Sequence, residues 1–291
     1  MKEYIYPKIN GIYNEYSEYG YVIIRNALSK ILINDITRHI DWLMEKNPDL
    51  DPENLGYWLI PKDPFWIRFL SETSLLNIAG RIIGPNIALF AADYLCKPPF
   101  IGKGVRWHQD AVYWPLEPMN VITLRFAVTE ENTENGCVRM IPGSHKLGTQ
   151  KHDSLSLYYY GNEIKNLGAP NDKSVVSNLN HLPTNTTSSN NILDQTKQLN
   201  KLVDGVDIQL NPGDVSVHSP FLIHGSISNK SNKWRKGGCI QYMPVTTKVT
   251  KKWPCIFLLK GNDLKGVNKY KKFPKYVEGK HMYFDEYVKF K

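Results

Sequence analysis

The chain has 291 residues, of which 42% are hydrophobic, and a formal net charge of +8. This hydrophobic content is enough for a folded core and excludes a globally disordered chain. No apolar run approaches the roughly 18 residues of a membrane span, and the N-terminus lacks the basic-then-apolar order of a signal peptide. The four cysteines are scattered without a Cys-x-x-Cys pair. We therefore expect a reduced, cytoplasmic protein without disulfides or a zinc ribbon.

The positive charge is confined to the C-terminal segment. Residues 248–291 contain twelve lysines and four acidic residues, which account for the whole net charge. The rest of the chain is neutral, so the composition predicts neither a nucleic-acid partner nor a membrane partner. Most basic segments of this kind are solvated surface, although this one could also attract phosphate or CoA groups.

The N-terminal part of the chain predicts helices around a short strand. Residues 21–24 are apolar and extended in character, and Ser29 is a good N-cap for the helix that follows. The apolar residues of that helix recur at helical spacing: Leu32, Ile36, Ile40 and Leu43. Residues 50–64 read as a loop. A second helix is predicted over 74–83, with Gly84-Pro85 as its terminator.

From residue 86 the pattern changes to short strands separated by turn residues. The predicted strands are 86–96, 105–113, 121–129, 137–141, 206–210, 214–217, 221–227 and 234–243. Such a series is typical of an antiparallel sandwich or barrel. In the strand 121–129, alternation places Thr123 and Arg125 on the face that looks into the barrel. The fold class is thus mostly β with flanking helices.

Two segments lack this pattern. Residues 150–203 are rich in Asn, Ser, Thr and Lys and read as a polar insertion over one mouth of the barrel. A substrate lid and an ordinary surface excursion explain it equally well. The basic segment 248–291 mixes Lys with aromatic residues. We assign the whole chain, 1–291, to one domain that includes both segments.

The tripeptide pattern His-x-Asp occurs twice. His108 and Asp110 lie in a predicted strand, where residues two apart project from one face and can chelate one ion. His39 and Asp41 lie in a predicted helix, where their side chains point about 200° apart and cannot share a metal. The sequence therefore favours the first pair as metal ligands.

A second histidine segment lies downstream. His224 and Arg235 flank a polar stretch, and a symmetric hairpin turn there would place them opposite each other, with Ser226 on the same side. Two histidines and one carboxylate form the facial set used by non-haem Fe(II) oxygenases. Such enzymes take electrons from a 2-oxoacid, whose far carboxylate suits the planar fork of Arg235. His218 is an alternative third ligand, but Ser219-Pro220 disturbs its strand.

Three blocks of the chain resemble the phytanoyl-CoA dioxygenase family. They are His108-Gln109-Asp110, the segment 130–145 (EENTENGCVRMIPGSH), and the segment from Asn211-Pro212-Gly213-Asp214 through His224-Gly225-Ser226 to Arg235. The resemblance spans about residues 15–244 and covers the insertion poorly. It implies a double-stranded β-helix, or cupin-like jelly roll, and an iron(II)- and 2-oxoglutarate-dependent hydroxylase.

The resemblance also implies roles for single residues. His108, Asp110 and His224 become the iron ligands, and Arg235, with Ser226 nearby, anchors 2-oxoglutarate. Arg125 stands where family members often carry a tryptophan beside the co-substrate, so it could bind 2-oxoglutarate or an anionic substrate. Halogenating relatives lack the acidic ligand, so Asp110 favours hydroxylation.

We therefore expect an enzyme that uses Fe(II), 2-oxoglutarate and O2 to hydroxylate an aliphatic carbon of a small molecule. The basic segment and Arg125 point to an anionic substrate, such as an acyl thioester, a phosphonate or a natural-product intermediate. Two other readings stay open. One is a metal-binding jelly roll that binds a small molecule without oxidising it, and the other is a nucleic-acid-modifying oxygenase.

Overall fold

The computed structural model of the protein describes residues 9–150, 158–159 and 205–291, and these contain four α-helices. They are α1 (Ile9–Tyr19), α2 (Lys30–Lys46), α3 (Pro64–Leu70) and α4 (Thr73–Ile83). The hydroxyl of Ser29 accepts a hydrogen bond from the Leu32 N–H at 3.2 Å and caps α2, as predicted. The helix α4 ends at Gly84, whose φ of 88° is readily available only to glycine.

Two antiparallel sheets each take strands from distant parts of the chain. The strands are β1 (Tyr21–Ile24), β2 (Ile87–Tyr94), β3 (Gly104–His108), β4 (Leu116–Glu117), β5 (Ile122–Ala127), β6 (Val138–Met140), β7 (Tyr158–Tyr159), β8 (Val206–Ile208), β9 (Val215–His218), β10 (His224–Ser226), β11 (Gly237–Pro244), β12 (Lys248–Val249) and β13 (Phe257–Lys260). The larger sheet has the order β1-β9-β5-β11-β2-β13, and the smaller sheet β7-β3-β10-β6-β8. A short β12-β4 ribbon completes the described strands. The predicted jelly roll is confirmed.

The larger sheet carries the helices on its outer face. Residues of β2, β5, β9 and β11 that point outward join side chains of the helices in the main hydrophobic core. The hydroxyl of Tyr242 in β11 reaches the carbonyl of Leu70 in α3 at 2.8 Å, which fastens a helix end to the sheet. The inner face of the same sheet is polar, with Thr123, Arg125 and His218 all buried. That face looks towards the smaller sheet.

Two predictions about strands need correction. The strand predicted over 105–113 ends at His108, and a 3-10 turn, Asp110–Val112, follows it. The predicted hairpin between His224 and Arg235 is wrong, because β10 belongs to the smaller sheet and β11 to the larger one. The segment 227–234 crosses between the sheets, and Arg235 bridges to Lys97.

Several elements were not predicted from the sequence, namely α1, α3, β4, β7, β12 and β13. The helix α3 lies just beyond the predicted loop 50–64 and begins with Pro64 after Asp63, whose carboxylate caps it by accepting the Phe65 N–H. Most of the predicted insertion, 150–203, lies outside the described residues. Among the described residues, no helix combines the length and apolar composition needed to cross a membrane.

Candidate metal centre

His108, Asp110 and His224 meet between the two sheets. One ligand atom from each lies within 4.8 Å of the other two. His108 and His224 are directly paired across β3 and β10, and their ring centroids are 4.1 Å apart. Asp110 Oδ1 lies 3.5 Å from Nε2 of His108 and 3.8 Å from Nε2 of His224. The structure thus brings together the three residues that the sequence singled out.

Both histidines are held with the same nitrogen facing the centre. Nδ1 of His108 is 2.8 Å from the carbonyl of Arg106, and Nδ1 of His224 is 2.9 Å from the carbonyl of Leu222. A carbonyl can only accept, so each Nδ1 carries the proton and donates it. Each Nε2 then keeps its lone pair for a metal. Gly225 lets the strands approach this closely, because a Cβ there would lie 2.9 Å from the carbonyl oxygen of Val105.

Asp110 reaches the centre from a turn rather than from a strand. Gln109 anchors that turn by donating to the carbonyls of Gly148 (2.9 Å) and Phe221 (2.6 Å). The Ala111 N–H also donates to the Pro220 carbonyl. These bonds to distant segments compete with strand pairing and turn the chain after His108.

The two carboxylate oxygens of Asp110 have different partners. Thr123 in β5 donates its hydroxyl to Oδ2 at 2.9 Å, while Oδ1 faces the two Nε2 atoms. The carboxylate is therefore oriented from the opposite sheet. Thr123 follows the inward face predicted for its strand.

The charges of the three ligands suit a metal. Burial by itself would raise the pKa of Asp110, yet the neighbouring histidines hold it well below its usual range. Burial, followed by the nearby His108, holds the pKa of His224 well below its usual range. Neutral imidazole and ionised carboxylate are the forms that bind metal. The donor set of two nitrogens and one carboxylate therefore fits an iron(II) ion.

His218 lies beside the centre but is not one of the three grouped ligands. Its Nε2 is 3.7 Å from Oδ2 of Asp110, and its ring is 4.6 Å from that of His224. Both of its ring nitrogens are buried without a hydrogen-bond partner among the described residues. The geometry favours His224 over His218 as the ligand.

Arg235 lies in a second buried group, with Lys97, Ser226 and Gly136. Its Nη1 donates to the Gly136 carbonyl, and its Nε has no hydrogen-bond partner among the described residues. Nζ of Lys97 donates to Ser226 Oγ at 2.8 Å and to the Ile227 carbonyl at 2.6 Å. Burial, followed by the positive charge of Arg235, holds the pKa of Lys97 well below its usual range. Burial lowers the pKa of Arg235 to about 10, so it remains charged at neutral pH.

Arg125 has a partner of its own. Its Nε and Nη2 donate to the two carboxylate oxygens of Glu131 at 2.9 and 2.6 Å, and both side chains are fully buried. Such a bidentate pair cancels the charge of each member. Arg125 points inward as predicted, but its charge is already balanced, whereas no described carboxylate forms an ion pair with Arg235.

Four residues of this region were not singled out by sequence reasoning: Lys97, Gln109, Thr123 and Glu131. Lys97 stands in Lys97-Pro98-Pro99, and Gln109 lies inside the His-x-Asp motif, so both had a local signal. Glu131 lies in the segment 130–145 that carries the family resemblance, and Thr123 had strand parity alone. Neither signal indicated their partners, which are six and thirteen residues away along the chain.

Comparison with known proteins identifies the family. A model of the phytanoyl-CoA dioxygenase (PhyH) family matches residues 16–237. A probable phytanoyl-CoA dioxygenase of Caenorhabditis elegans is 24% identical over 261 residues, covering 78% of this chain and 72% of that protein. The peroxisomal phytanoyl-CoA dioxygenase of Mus musculus is 27% identical over 185 residues, covering 60% of this chain. That match takes in only 45% of the mouse protein.

Solved structures show the same fold. The non-heme monooxygenase ThoJ aligns with a TM-score of 0.67 at 18% identity, covering 90% of this chain and 88% of its own. EctD from S. alaskensis, with bound Fe, aligns with a TM-score of 0.60 at 18% identity, covering 82% of this chain and 77% of its own. At this identity the likeness speaks for the fold, while the family match rests on sequence. The chain belongs to the phytanoyl-CoA dioxygenase family.

Proposed function

We propose that this protein is an Fe(II)- and 2-oxoglutarate-dependent dioxygenase that hydroxylates an aliphatic carbon of a small molecule. The observation that carries the proposal is the convergence of two Nε2 atoms and a carboxylate oxygen, each oriented by its own hydrogen bond. Support comes from structural neighbours, since EctD has been solved with Fe and with 2-oxoglutarate and 5-hydroxyectoine. The epimerase SnoN has been solved with Fe3+ and alpha ketoglutarate.

His108, Asp110 and His224 would hold the iron, and their protonation states need no change to do so. When bound, iron(II) supplies the O2 chemistry of this enzyme class. Arg235 would anchor the far carboxylate of 2-oxoglutarate, because its buried guanidinium has hydrogen-bonding capacity to spare. Lys97 lies at the same place and orients the Ser226 hydroxyl by donating to it. Burial of this group excludes water and strengthens the contact with a carboxylate.

The structure weakens the argument for an anionic substrate. That expectation rested on Arg125 and on the basic segment 248–291. Arg125 is neutralised by Glu131, and exposed lysines of the segment, such as Lys251 and Lys252, face solvent. We therefore propose a small-molecule substrate without assigning it a negative charge.

The two other readings lack a supporting observation. A metal-binding protein without oxidative chemistry would have no use for a buried arginine that no described carboxylate pairs with. A nucleic-acid-modifying oxygenase would rest on the basic segment alone, and salt-sensitive nucleic-acid binding lost on deleting residues 248–291 would revive it.

The test is anaerobic reconstitution with Fe(II) and 2-oxoglutarate, followed by addition of O2. We expect conversion of 2-oxoglutarate to succinate, and faster conversion in the presence of the right small molecule. Protein that binds iron but forms no succinate across a broad panel of small molecules would contradict the proposal.

A further inference from the structure

The inner wall of the larger sheet carries one acidic residue that the proposed function does not use. Asp93 in β2 is paired with Cys239 in β11, which is paired with Arg125 in β5. Residues paired across adjacent strands project from the same face. Two positions before Arg125 on that face, Thr123 reaches Asp110. Asp93 therefore projects towards the space in front of the metal centre.

The carboxylate of Asp93 is only partly engaged. Oδ1 accepts a hydrogen bond from the Tyr57 N–H at 3.2 Å, and no described residue donates to Oδ2. The side chain lies at intermediate burial, in contrast to its fully buried neighbours Ala92 and Tyr94. Burial, with a further contribution from the negative charge of Asp110, raises the pKa of Asp93 to about 7. Within the described part of the chain, no cationic side chain pairs with this carboxylate.

Aromatic rings surround the same position. The rings of Tyr57 and Trp253 are stacked with centroids 5.1 Å apart, and Trp58 packs edge-on against Tyr57 at 5.5 Å. All three side chains are half-buried. Trp253 is also stacked on Phe90, with ring centroids 4.6 Å apart, so it supports Tyr57 and is itself held between two rings. Gly56 lets the Trp58 ring approach Asp93, because a Cβ at position 56 would lie 2.3 Å from that ring and 2.7 Å from Asp93 Oδ1.

A carboxylate beside aromatic faces is suited to a positively charged nitrogen. The carboxylate supplies a charge-assisted hydrogen bond, and the half-buried Trp58 ring beside it supplies cation–π attraction. An anion would instead meet the carboxylates of Asp93 and Asp110, and Arg125 on the same wall is already neutralised by Glu131. We propose that Asp93 and Trp58 form a subsite for a cationic amine group of the substrate. This inference rests on the proposed function, because it names the substrate class of the same site.

The test compares three probes that share one ring and differ in charge: benzylammonium, benzyl alcohol and benzoate. Binding is measured by calorimetry to protein loaded with Ni(II) and 2-oxoglutarate, and to metal-free protein. We expect benzylammonium to bind at least about tenfold more tightly than benzyl alcohol, and benzoate most weakly. Equal binding of amine and alcohol, tightest binding of benzoate, or no binding of any probe would each overturn the proposal.

Variants locate the preference. Asp93→Asn keeps an acceptor for the Tyr57 N–H but removes the charge, so it should bind the amine and the alcohol equally. Asp41→Asn, an exposed aspartate on α2, is the matched control and should keep the preference. An amine preference that survives Asp93→Asn would overturn the assignment. If Asp93→Asn fails to fold, as judged by its melting curve, Trp58→Leu takes its place and should reduce amine binding selectively.

The outcomes separate this inference from the proposed function. Succinate formation without an amine preference would remove the subsite and leave the dioxygenase standing. An amine preference in a protein that forms no succinate when it is loaded with Fe(II) would keep the subsite and remove the dioxygenase.

Discussion

Two histidine–carboxylate groups in this protein contain the same His-x-Asp tripeptide, but one could bind a metal and the other is structural. In the inner group, His108 and Asp110 face each other with His224, and the Nε2 atoms keep their lone pairs for a metal. In the outer group, on α2, His39 and Asp41 point apart. The backbone, rather than the tripeptide, decides whether the two side chains can act together.

The outer group is a closed network. His39 is fully buried, with Nε2 2.7 Å from Asp63 and Nδ1 2.9 Å from the hydroxyl of Tyr94. Asp41 is exposed and pairs with Lys236 instead. Both ring nitrogens of His39 are thus used within the protein, and none is available to a metal. In a metal site, one ring nitrogen of each histidine is hydrogen-bonded to the protein and the other is available to the metal. In His39, both ring nitrogens are hydrogen-bonded to the protein.

Substituting Asp110 should change turnover far more than substituting Asp41. Asp110→Ala removes the carboxylate that meets both Nε2 atoms and should abolish iron-dependent succinate formation, and His108→Ala should do the same. Asp41→Ala removes only an exposed ion pair of about 0.2–1 kcal/mol and should leave turnover unchanged. Succinate formation and iron content are measured together. Wild-type turnover in Asp110→Ala, or loss of turnover in Asp41→Ala, would contradict the different roles assigned to these two aspartates.

The second prediction concerns the stability of the outer group. Asp63→Asn takes the carboxylate from the buried His39 and should lower the free energy of unfolding by about 3 kcal/mol, as loss of a buried charged hydrogen bond does. Urea unfolding at neutral pH measures the change. Turnover per folded molecule should stay at the wild-type level, and a selective loss of turnover would show that the two groups are coupled.

The same pair also predicts a dependence on pH. Burial by itself would raise the pKa of Asp63, but His39 and the Phe65 N–H outweigh it and lower that pKa. A carboxyl with a lowered pKa stabilises the fold above its unfolded pKa and loses that contribution as pH falls through its folded pKa. The unfolding free energies of wild type and Asp63→Asn should therefore converge in acid. Curves that stay parallel down to that range would contradict the assignment.

The third prediction concerns Arg235 as the anchor of 2-oxoglutarate. Arg235→Lys keeps a charge but loses the planar fork, so 2-oxoglutarate binding should weaken about 10- to 100-fold. The expected signature is a raised KM for 2-oxoglutarate with a smaller change in kcat. Arg68→Lys, in a half-buried pair with Glu72, is the control. An unchanged KM in Arg235→Lys would show that the co-substrate is anchored elsewhere.

The smallest effect is expected at His218. His218→Ala should lower metal affinity by about tenfold, as substitutions next to a ligand set do, whereas His224→Ala should abolish metal-dependent turnover. Metal titration of both variants distinguishes them. Retained turnover in His224→Ala together with its loss in His218→Ala would exchange their roles.

The sequence predicted which three side chains come together better than it predicted how they are held. Strand parity placed Thr123 and Arg125 inward, and the helical decoy at His39 was excluded correctly. The turn at Asp110 escaped prediction because Gln109 is bonded to carbonyls of Gly148 and Phe221, far along the chain. The position of Arg235 escaped it as well, since no local pattern shows that β10 and β11 belong to different sheets.

The direct pairing of His108 with His224 has a consequence for the assembly of the fold. These residues stand on β3 and β10, which are distant along the chain yet adjacent in the smaller sheet. An ion held by both, and by Asp110, would act as a cross-link and reduce the entropy of any partly open chain. Melting temperature should then rise with free metal concentration. The metal ligands would then stabilise the fold as well as support its chemistry.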